Sequence, residues 1–526
     1  MFWFTLVLAL GSWLPVLNAG PWEIGSYDEA EDKFRTVATD NSAKRLPSNV
    51  THLVIGKEVR DFSFLNSADN LVALRVERLP QELANALANF PQLLSLEIEY
   101  ANSAELAKWP VAKNLRTLVL SNETLDKEFS VVPNKFPSLQ RLSLRAKVIS
   151  REFLSSLESL SSLTALQIRK SSVFTDEELV LCSLLPQLLE LRLTTISREG
   201  AKLSASAVKK IFELSSLQTL ELRLATSFPL GEVESLPEEL ASLSIGANQT
   251  TPEWTTECAV LVAKLKNLEF LLLHAEALDE LSLALISKNL PRLKTLTFLG
   301  DWPENAGTCL RRMKALRALT AGAGTSNNGL SVEAIEGIAS QLVKLELYGF
   351  DLTSTWILSL NKARELRQLL LGGITMKKED LDATCEVFSR LTQLTLFNCS
   401  QFYLDKYAAI RAATRVTQLQ LVHQESSFSG EYAKAVAALP ELKRLEIQCS
   451  AIGEVAIDAL ATAKKLQSVS VSYLSAVVPP SMFLRLKSSL SLVRVDVAPA
   501  TGWTREEALA LQEALPGTAV TVDYIR

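Results

Sequence analysis

The chain is poor in the side chains that most catalytic and metal sites use. Its 526 residues include three histidines, four methionines and six cysteines. It has no G-x-S-x-G nucleophile elbow, no P-loop and no C-x-x-C pair, the short motifs of hydrolase, nucleotide-binding and redox sites. The glycines of residues 321–329 are not followed by the Lys-Ser/Thr pair of a phosphate loop, so we interpret them as a connection. We therefore expect neither enzyme activity nor a cofactor.

A concentration of one charge sign is also missing. The formal net charge is −5 and 21% of the residues are charged, without a long run of either sign. Nucleic-acid binding requires a concentrated basic face, so we expect no nucleic-acid partner. Beyond the first twenty residues, no apolar segment reaches the ~20 residues that cross a bilayer, so we expect no membrane span in the mature chain.

The first residues differ from the rest of the chain. Residues 2–17 are almost purely apolar, the first basic side chain is Lys33, and the small residue Ala19 offers a cleavage site. This pattern predicts a signal peptide over residues 1–19 and a secreted protein, extracellular or, in a bacterium, periplasmic. The missing basic start and Leu17 at the −3 position are atypical. They leave open an uncleaved anchor or a buried N-terminal helix.

Leucine recurs in the pattern L-x-x-L-x-L with a mean period of about 24 residues, inside the range of leucine-rich repeats. Clear copies occupy residues 93–98, 139–144, 217–222 and 391–396. The pattern begins at Val50, and 18 further copies make 19 in all. Their first positions are Leu71, Leu93, Leu115, Leu139, Leu163, Leu188, Leu217, Leu240, Leu268, Leu293, Leu316, Leu342, Leu366, Leu391, Val416, Leu442, Leu466 and Leu490.

The alternation within each copy predicts a short strand with two aliphatic side chains on one face and variable residues on the other. A single repeat cannot bury its leucines, so successive strands must stack in parallel around a shared core. The return segments at 204–216 and 431–440 have helical apolar spacing.

The chain thus resembles the leucine-rich-repeat superfamily. That resemblance implies an α/β solenoid over residues 50–500, a horseshoe or arc of about 19 repeats. It also implies a concave parallel β-sheet that binds proteins, and a helical or irregular convex side. The chain differs from the well-known extracellular members because it has no cysteine-rich caps.

Both ends of the repeat array are predicted to be capped, as a soluble solenoid requires. We predict an N-terminal cap at 20–49 that includes a polar helix at 28–38. A C-terminal cap is predicted at 501–526. In it, Thr504 and the glutamate three residues later form a capping box before a helix, and a final strand follows at 518–524.

The cysteines fall on return segments or strand ends of non-adjacent repeats. Two repeats separate Cys399 and Cys449 by roughly 10 Å, beyond the reach of about 7 Å for a disulfide. We therefore predict buried free thiols. The histidines are also dispersed, since His274 and His423 lie six repeats, roughly 30 Å, apart. No shared metal site is expected, because metal ligands lie within about 2 Å of the ion.

Four N-x-S/T sequons are present, at Asn49, Asn122, Asn248 and Asn398. In a eukaryotic host they are possible glycosylation sites. Asn248 occupies the ninth position of its repeat, where leucine-rich repeats carry an inward-pointing asparagine that bonds to the turn backbone. Asn49 and Asn122 are therefore the better candidates.

The repeat register also predicts which side chains line the concave face. Repeats 2 and 3 place acidic residues there, repeats 5 to 8 place arginines, and from repeat 10 the positions become apolar. The acidic set is Glu77, Glu97 and Glu99. The arginine set is Arg141, Arg145, Arg169, Arg192 and Arg223. The apolar set is Phe270, Leu272, Leu299, Tyr348, Leu370, Phe397 and Val422.

Exposed apolar side chains on neighbouring strands commonly mark an interaction site, and arginines and aromatics dominate interface energetics. We therefore predict that a protein or glycan partner binds the concave face across repeats 5 to 16. Two alternatives without a partner stay open. In one, a segment of the chain covers the apolar set, and in the other, the arginines pair with Glu190 and Glu221. A different class of function also stays open, in which the chain is an intracellular regulator or adaptor such as an enzyme inhibitor or a ligase substrate-recognition subunit. The sequence does not indicate an oligomeric state.

Overall fold

The structure is a computed structural model of the 526-residue chain. The residues that it describes are 36–38, 51–55, 59, 61–67, 70–78, 80–87, 90, 92–197, 203–224, 233, 236–246, 254–322, 330–349, 354–373, 381–398, 407–474, 478–499, 503–515 and 518–522. The chain divides into two compact units, Met1–Ala275 and Glu276–Arg526.

In the first unit, each predicted repeat from the first to the tenth contributes one strand. The strands are β1 (Thr36–Ala38), β2 (His52–Ile55), β3 (Ala73–Val76), β4 (Ser95–Ile98), β5 (Thr117–Ser121), β6 (Thr124–Leu125), β7 (Arg141–Ala146), β8 (Val148–Ile149), β9 (Ala165–Lys170), β10 (Glu190–Thr195), β11 (Thr219–Arg223), β12 (Ser242–Gly246) and β13 (Phe270–Ala277). All the pairings are parallel and join each repeat to the next, while β6 and β8 form a separate two-stranded pair.

Strand alternation places the core of this unit on one side of the sheet. In β7, Leu142 and Leu144 are fully buried, whereas Arg141 and Arg145 on the opposite side are half-buried. Leu142 is the register partner of Leu118 on β5 and of Leu166 on β9. The leucines of successive repeats therefore stack directly on one another, as the repeat predicts.

Short helices return the chain between these strands. They are α1 (Gln81–Leu87), α2 (Ser103–Lys108), α3 (Val132–Lys135), α4 (Arg151–Ser156), α5 (Asp176–Ser183), α6 (Ala205–Phe212) and α7 (Thr256–Val262), with 3-10 turns at Ser63–Ser67, Lys127–Val131 and Leu157–Ser159. The predicted helix at 204–216 is α6. It begins after Ser204, whose Oγ accepts a hydrogen bond from the Ala207 amide, and it buries Val208, Ile211 and Phe212.

Side chains at the ends of two of the strands bond to the carbonyl of the preceding turn, as the ladder asparagines of regular leucine-rich repeats do. Asn122 Nδ2 donates to the Ala101 carbonyl at 2.8 Å, as a ladder asparagine does. Three repeats later Thr195 Oγ1 donates to the Ser172 carbonyl at 2.7 Å. These bonds satisfy turn carbonyls that would otherwise lack partners in the interior.

The second unit repeats the same arrangement. Its strands are β14 (Thr295–Asp301), β15 (Ala318–Gly322), β16 (Lys344–Tyr348), β17 (Gln368–Gly372), β18 (Gln393–Phe397), β19 (Gln418–Phe428), β20 (Arg444–Ile452), β21 (Ser468–Leu474), β22 (Arg494–Pro499) and β23 (Ala519–Val522). They pair in parallel in chain order.

Its helices are α8 (Glu280–Asn289), α9 (Ala306–Arg312), α10 (Val332–Ile338), α11 (Ser354–Leu360), α12 (Leu381–Phe388), α13 (Tyr407–Ala412), α14 (Gly430–Ala437), α15 (Glu454–Ala461), α16 (Pro480–Phe483) and α17 (Arg505–Ala514), with 3-10 turns at Ala339–Gln341 and Leu484–Ser488. The predicted helix at 431–440 is α14, capped by Ser429. The predicted capping box of Thr504 and Glu507 opens α17, and β23 forms the predicted final strand beside β22.

Two predictions at the ends of the repeat array are wrong. Leu490 is fully exposed, whereas Leu492 is buried together with Val495 and Val497, so the last repeat starts two residues later than predicted. At the other end, Thr36–Ala38 of the predicted helix 28–38 form β1 beside β2. Their β-branched Thr36 and Val37 favour a strand. Residues 28–35 and the predicted signal peptide at 1–19 lie outside the described residues.

The predicted free thiols are confirmed for five of the six cysteines. Cys182, Cys258, Cys309 and Cys449 are buried thiols outside any disulfide, whereas Cys385 is a half-buried thiol outside any disulfide. Cys399 lies outside the described residues. No helix within the described ranges is long and apolar enough to cross a bilayer.

Candidate functional site

The open face of each unit's sheet is the side away from the buried leucines. It carries the strand positions that alternate with the core, which are the positions that the sequence predicts to meet a partner. On β7, β9, β10 and β11 it carries Arg141, Arg145, Arg169, Arg192 and Arg223. The same strands place only Glu190 and Glu221 there. This part of the sheet is therefore locally positive in a chain of net charge −5.

Four of these positions form a row across adjacent strands, which we call the Arg169 row. Arg145 of β7 is the register partner of Arg169 on β9, which is followed by Thr194 on β10 and Arg223 on β11. Because neighbouring strands lie about 4.8 Å apart, the backbones of Arg169 and Arg223 are separated by about 10 Å across Thr194.

Carboxylates neutralise the flanks of this cluster. Glu221 forms ion pairs with two arginines, since Arg223 Nε lies 2.8 Å from its Oε1 and Arg192 Nη1 lies 3.5 Å from its Oε2. On the other flank, Arg145 Nη1 lies 3.1 Å from Oε1 of Glu97. The alternative that the arginines pair with acidic neighbours is thus confirmed for Glu221, which pairs with Arg192 and Arg223.

Arg169 is the exception. It is half-buried, yet no carboxylate of the described residues lies within ion-pair distance of its guanidinium. Burial lowers its pKa, and the like charges of Arg145 and Arg223 lower it further, while Glu221 opposes them. A guanidinium that the fold holds against both desolvation and repulsion is suited to receive an anionic group from outside.

Glu190 lies on β10, two positions before Arg192 on the same strand. Burial raises the pKa of its carboxyl group, and the charges of Arg141 and Arg192 only partly offset this effect. Arg75 at the acidic end of the sheet pairs with Glu99 at 2.6 Å. The acidic positions thus lie next to arginines, whereas Arg169 has no carboxylate of the described residues within ion-pair distance.

The expected exposure of the apolar set is wrong for four of its seven members. Leu272, Tyr348, Phe397 and Val422 are only 4%, 3%, 8% and 2% exposed, while Phe270, Leu299 and Leu370 are half-buried. Whether any of them contacts a partner stays a prediction.

Glycines account for part of this burial in the second unit. Along the row, Leu299, Gly322, Tyr348, Gly372 and Phe397 are successive register partners. A Cβ atom on Gly322 would lie 2.9 Å from Leu299 Cδ2, and one on Gly372 would lie 2.6 Å from Tyr348 Cδ1. The large side chains thus lie over the neighbouring glycines and bury one another's surface. Sequence reasoning counted them as exposed because it treated each position separately.

A buried carboxylate on the same face escaped sequence analysis. Glu346 is 2% exposed, accepts from Thr320 Oγ1 at 2.8 Å and lies 2.9 Å from Lys344 Nζ. Burial raises the pKa of Tyr348 well above its usual range, and the charge of Glu346 raises it further. The register places Glu346 between Thr320 and Leu370. A carboxylate between two uncharged register partners is the sequence signal that could have indicated its burial.

The sequons differ in what surrounds them. The amide nitrogen of Asn122, the atom that would carry a glycan, donates the ladder hydrogen bond to Ala101. Asn398 has a left-handed backbone with φ of 47°. Asn49 and Asn248 lie outside the described residues. Glycosylation of Asn49 and Asn122 stays a prediction.

Metal ligands do not converge within the described part of the chain. No group of three or more His, Cys, Asp or Glu side chains there could hold a metal ion. His52 and His274 lie at strands β2 and β13, and His52 Nδ1 is 2.9 Å from Thr51 Oγ1.

Comparisons with known proteins find no family model and no curated protein that match this chain. Among solved structures, one similar chain is that of a TLR13–ssRNA13 complex, with 16% identity and a TM-score of 0.40. That match covers 86% of this chain and 56% of the TLR13 chain, so it spans little more than half of that protein. A second is internalin InlF from Listeria monocytogenes str. 4b F2365, with 15% identity, a TM-score of 0.33, and coverage of 70% of this chain and 88% of that one.

The identity of the fold rests on the chain's own repeat. Each of the 19 predicted copies contributes one strand, and the paired strands are parallel with the leucines in register. Capped helices or 3-10 turns return the chain between them. The chain has the leucine-rich-repeat α/β solenoid fold.

Proposed function

We propose that this chain is an exported, non-catalytic binding protein that holds a protein partner on the open face of its first unit. The observation that carries the proposal is the positive cluster on β7, β9, β10 and β11, whose open face holds five arginines and two glutamates. Arginines that are held by a rigid sheet and are not part of the core commonly dominate interface energetics. The apolar set supports the proposal less, because most of it is already buried within the chain.

A steric block on the open face tests this proposal. Thr219 is half-buried on β11, and its register partner on β10 is Glu190. Thr219→Trp places a large side chain on the open face without replacing any of the arginines. The matched control is Ser162→Trp, since Ser162 is exposed in a turn outside the strands.

The readout is capture of the partner from the fluid in which the protein is produced, followed by identification by mass spectrometry. The wild type and Ser162→Trp should retain the same protein, and Thr219→Trp should lose it. Equal recovery by both variants contradicts binding through this face.

Export is a separate part of the proposal. Its support is the apolar segment at residues 2–17 followed by the small residues Ala19 and Gly20. N-terminal sequencing of the protein recovered from outside the cell should find a start near Gly20. Recovery only inside the cell with an intact Met1 contradicts export and favours an intracellular regulator or adaptor.

A further inference from the structure

Arg169 is a half-buried positive charge that forms no ion pair with the described residues. Arg145, Arg192 and Arg223 each have a glutamate oxygen within 4.0 Å, and Arg169 has none among the described residues. Ion pairs therefore hold the three neighbouring arginines in place, whereas the described residues provide no ion pair for Arg169.

The space beside Arg169 is bounded by further donors. Its neighbour in the row is Thr194, a half-buried residue whose short side chain lies between the strands of Arg169 and Arg223. Neither a hydrogen bond nor an ion pair to the described residues engages the Thr194 hydroxyl. A carboxylate over Thr194 would meet this hydroxyl and the Arg169 guanidinium, with the second positive charge of Arg223 on its other side.

We propose that Arg169, Thr194 and Arg223 form a binding site for a carboxylate side chain of an acidic segment in the partner protein. This inference rests on the proposed function and specifies the chemistry of the partner. A guanidinium can bind a carboxylate with two parallel hydrogen bonds, which gives geometric specificity.

The surrounding charges favour a protein over a polyanion. Glu97 pairs with Arg145 at one end of the row and Glu221 pairs with Arg223 at the other, so a continuous chain of phosphates or sulfates would meet repulsion on both flanks. Nucleic-acid and sulfated-polymer binding use a concentrated basic face, whereas this site holds a few arginines among carboxylates. Separated carboxylates of a peptide match that mixed pattern better.

The test uses the full chain and a fluorescent decaglutamate peptide, with a Gly-Ser peptide of the same length as the neutral probe. Arg169→Gln is compared with Arg151→Gln, which makes the same charge change at an exposed position of α4. Wild type and Arg151→Gln should bind decaglutamate with equal affinity. Arg169→Gln should weaken binding by about tenfold, because a hydrogen-bonded ion pair at the interface is lost.

Supporting variants keep the test informative if Arg169→Gln fails to fold. Arg169→Lys keeps the charge without the planar fork, so its affinity should lie between those of wild type and Arg169→Gln. Thr194→Val should lower the affinity for the decaglutamate peptide by a smaller factor. Added salt should lower this affinity further, since the site is partly exposed.

Three results would overturn the inference. Equal affinities of the Arg169→Gln and Arg151→Gln variants remove the site, and so does a wild type that binds no decaglutamate. Displacement of the peptide by single-stranded RNA or a heparin oligosaccharide at a much lower concentration assigns the site to a phosphate or sulfate polymer instead. In each case, the partner captured by Ser162→Trp and lost by Thr219→Trp would still establish binding on the open face, so the two proposals fail separately.

Discussion

Tyr348 lies over Gly372 on the neighbouring strand, with its Cδ1 atom 2.6 Å from the position that a Cβ atom would occupy on the glycine. Tyr348 itself is almost completely buried. The glycine therefore supplies the space for the aromatic ring, and the two residues act as one packing unit on the open face of the second unit.

Gly372→Ala should destabilise the protein by about 1–3 kcal/mol, because the new methyl group forces the ring out of its position. The measurement is the midpoint of urea unfolding. In a Tyr348→Ala background the same glycine substitution should cost much less, since the clash is gone. Equal costs in both backgrounds would show that the two residues are not coupled.

Arg169→Gln should leave stability unchanged or increase it, in contrast to its effect on binding. The wild-type residue makes no ion pair with the described residues and is repelled by Arg145 and Arg223. Arg192→Gln is the comparison, because it deprives Glu221 of one of its two arginines and should destabilise. Thermal unfolding of both variants checks the order, and an Arg169→Gln variant less stable than Arg192→Gln would contradict it.

The buried ion pair of Lys170 and Glu178 joins β9 to α5, with Lys170 Nζ 2.5 Å from Glu178 Oε1. Glu178→Leu should destabilise by about 3–5 kcal/mol, because it leaves the buried ammonium without its partner. The double variant Lys170→Met/Glu178→Leu should recover much of this loss, since no buried charge remains. Glu178 also caps α5, because its Oε2 accepts a hydrogen bond from the Thr175 amide at 2.9 Å. A double variant as unstable as the single one would show that this capping bond dominates.

Buried thiols should make the fold sensitive to alkaline pH. Burial raises the pKa of Cys182 from 9.0 to about 12, and that of Cys449 from 9.0 to about 11. Between these values the folded state keeps its protons while the unfolded state loses them, so the free energy of unfolding falls as the pH rises above about 9. Cys182→Ala should reduce this slope in unfolding titrations, and an unchanged slope would rule out a contribution of Cys182.

The same burial predicts the order of thiol modification. At pH 8 iodoacetamide should label half-buried Cys385 before Cys182 and Cys449, because the reactive thiolate is scarce and enclosed at the latter two. Unfolding in guanidinium should make all of them react at similar rates. Early labelling of Cys182 in the folded protein would contradict its burial.

The leucine period predicted the strands well, because burial of two aliphatics per strand is a local requirement that each repeat must meet. It was less reliable at the last repeat. Leu490 satisfies the spacing but lies fully exposed, and the strand core is made by Leu492, Val495 and Val497. The valines fit a pleated strand equally well, so leucine identity alone did not determine the register.

The candidate site was predictable only in part. The register placed Arg169 and its neighbours on one face correctly, since strand alternation decides the side of the sheet. The register could not show that Glu221 forms ion pairs with Arg192 and Arg223 but not with Arg169, because ion pairing depends on the reach of the side chains. Burial of Tyr348 depended on Gly372 one repeat away, which a single strand does not reveal.

Chemical protection of Arg169 tests the central claim most directly. Phenylglyoxal modifies arginine guanidinium groups, and mass spectrometry reads the extent at Arg169 and at the exposed Arg151 with and without the captured partner. Binding on the open face of the first unit predicts that the partner protects Arg169 and leaves Arg151 equally reactive. Equal modification of Arg169 in the free and the bound protein would contradict the proposed site.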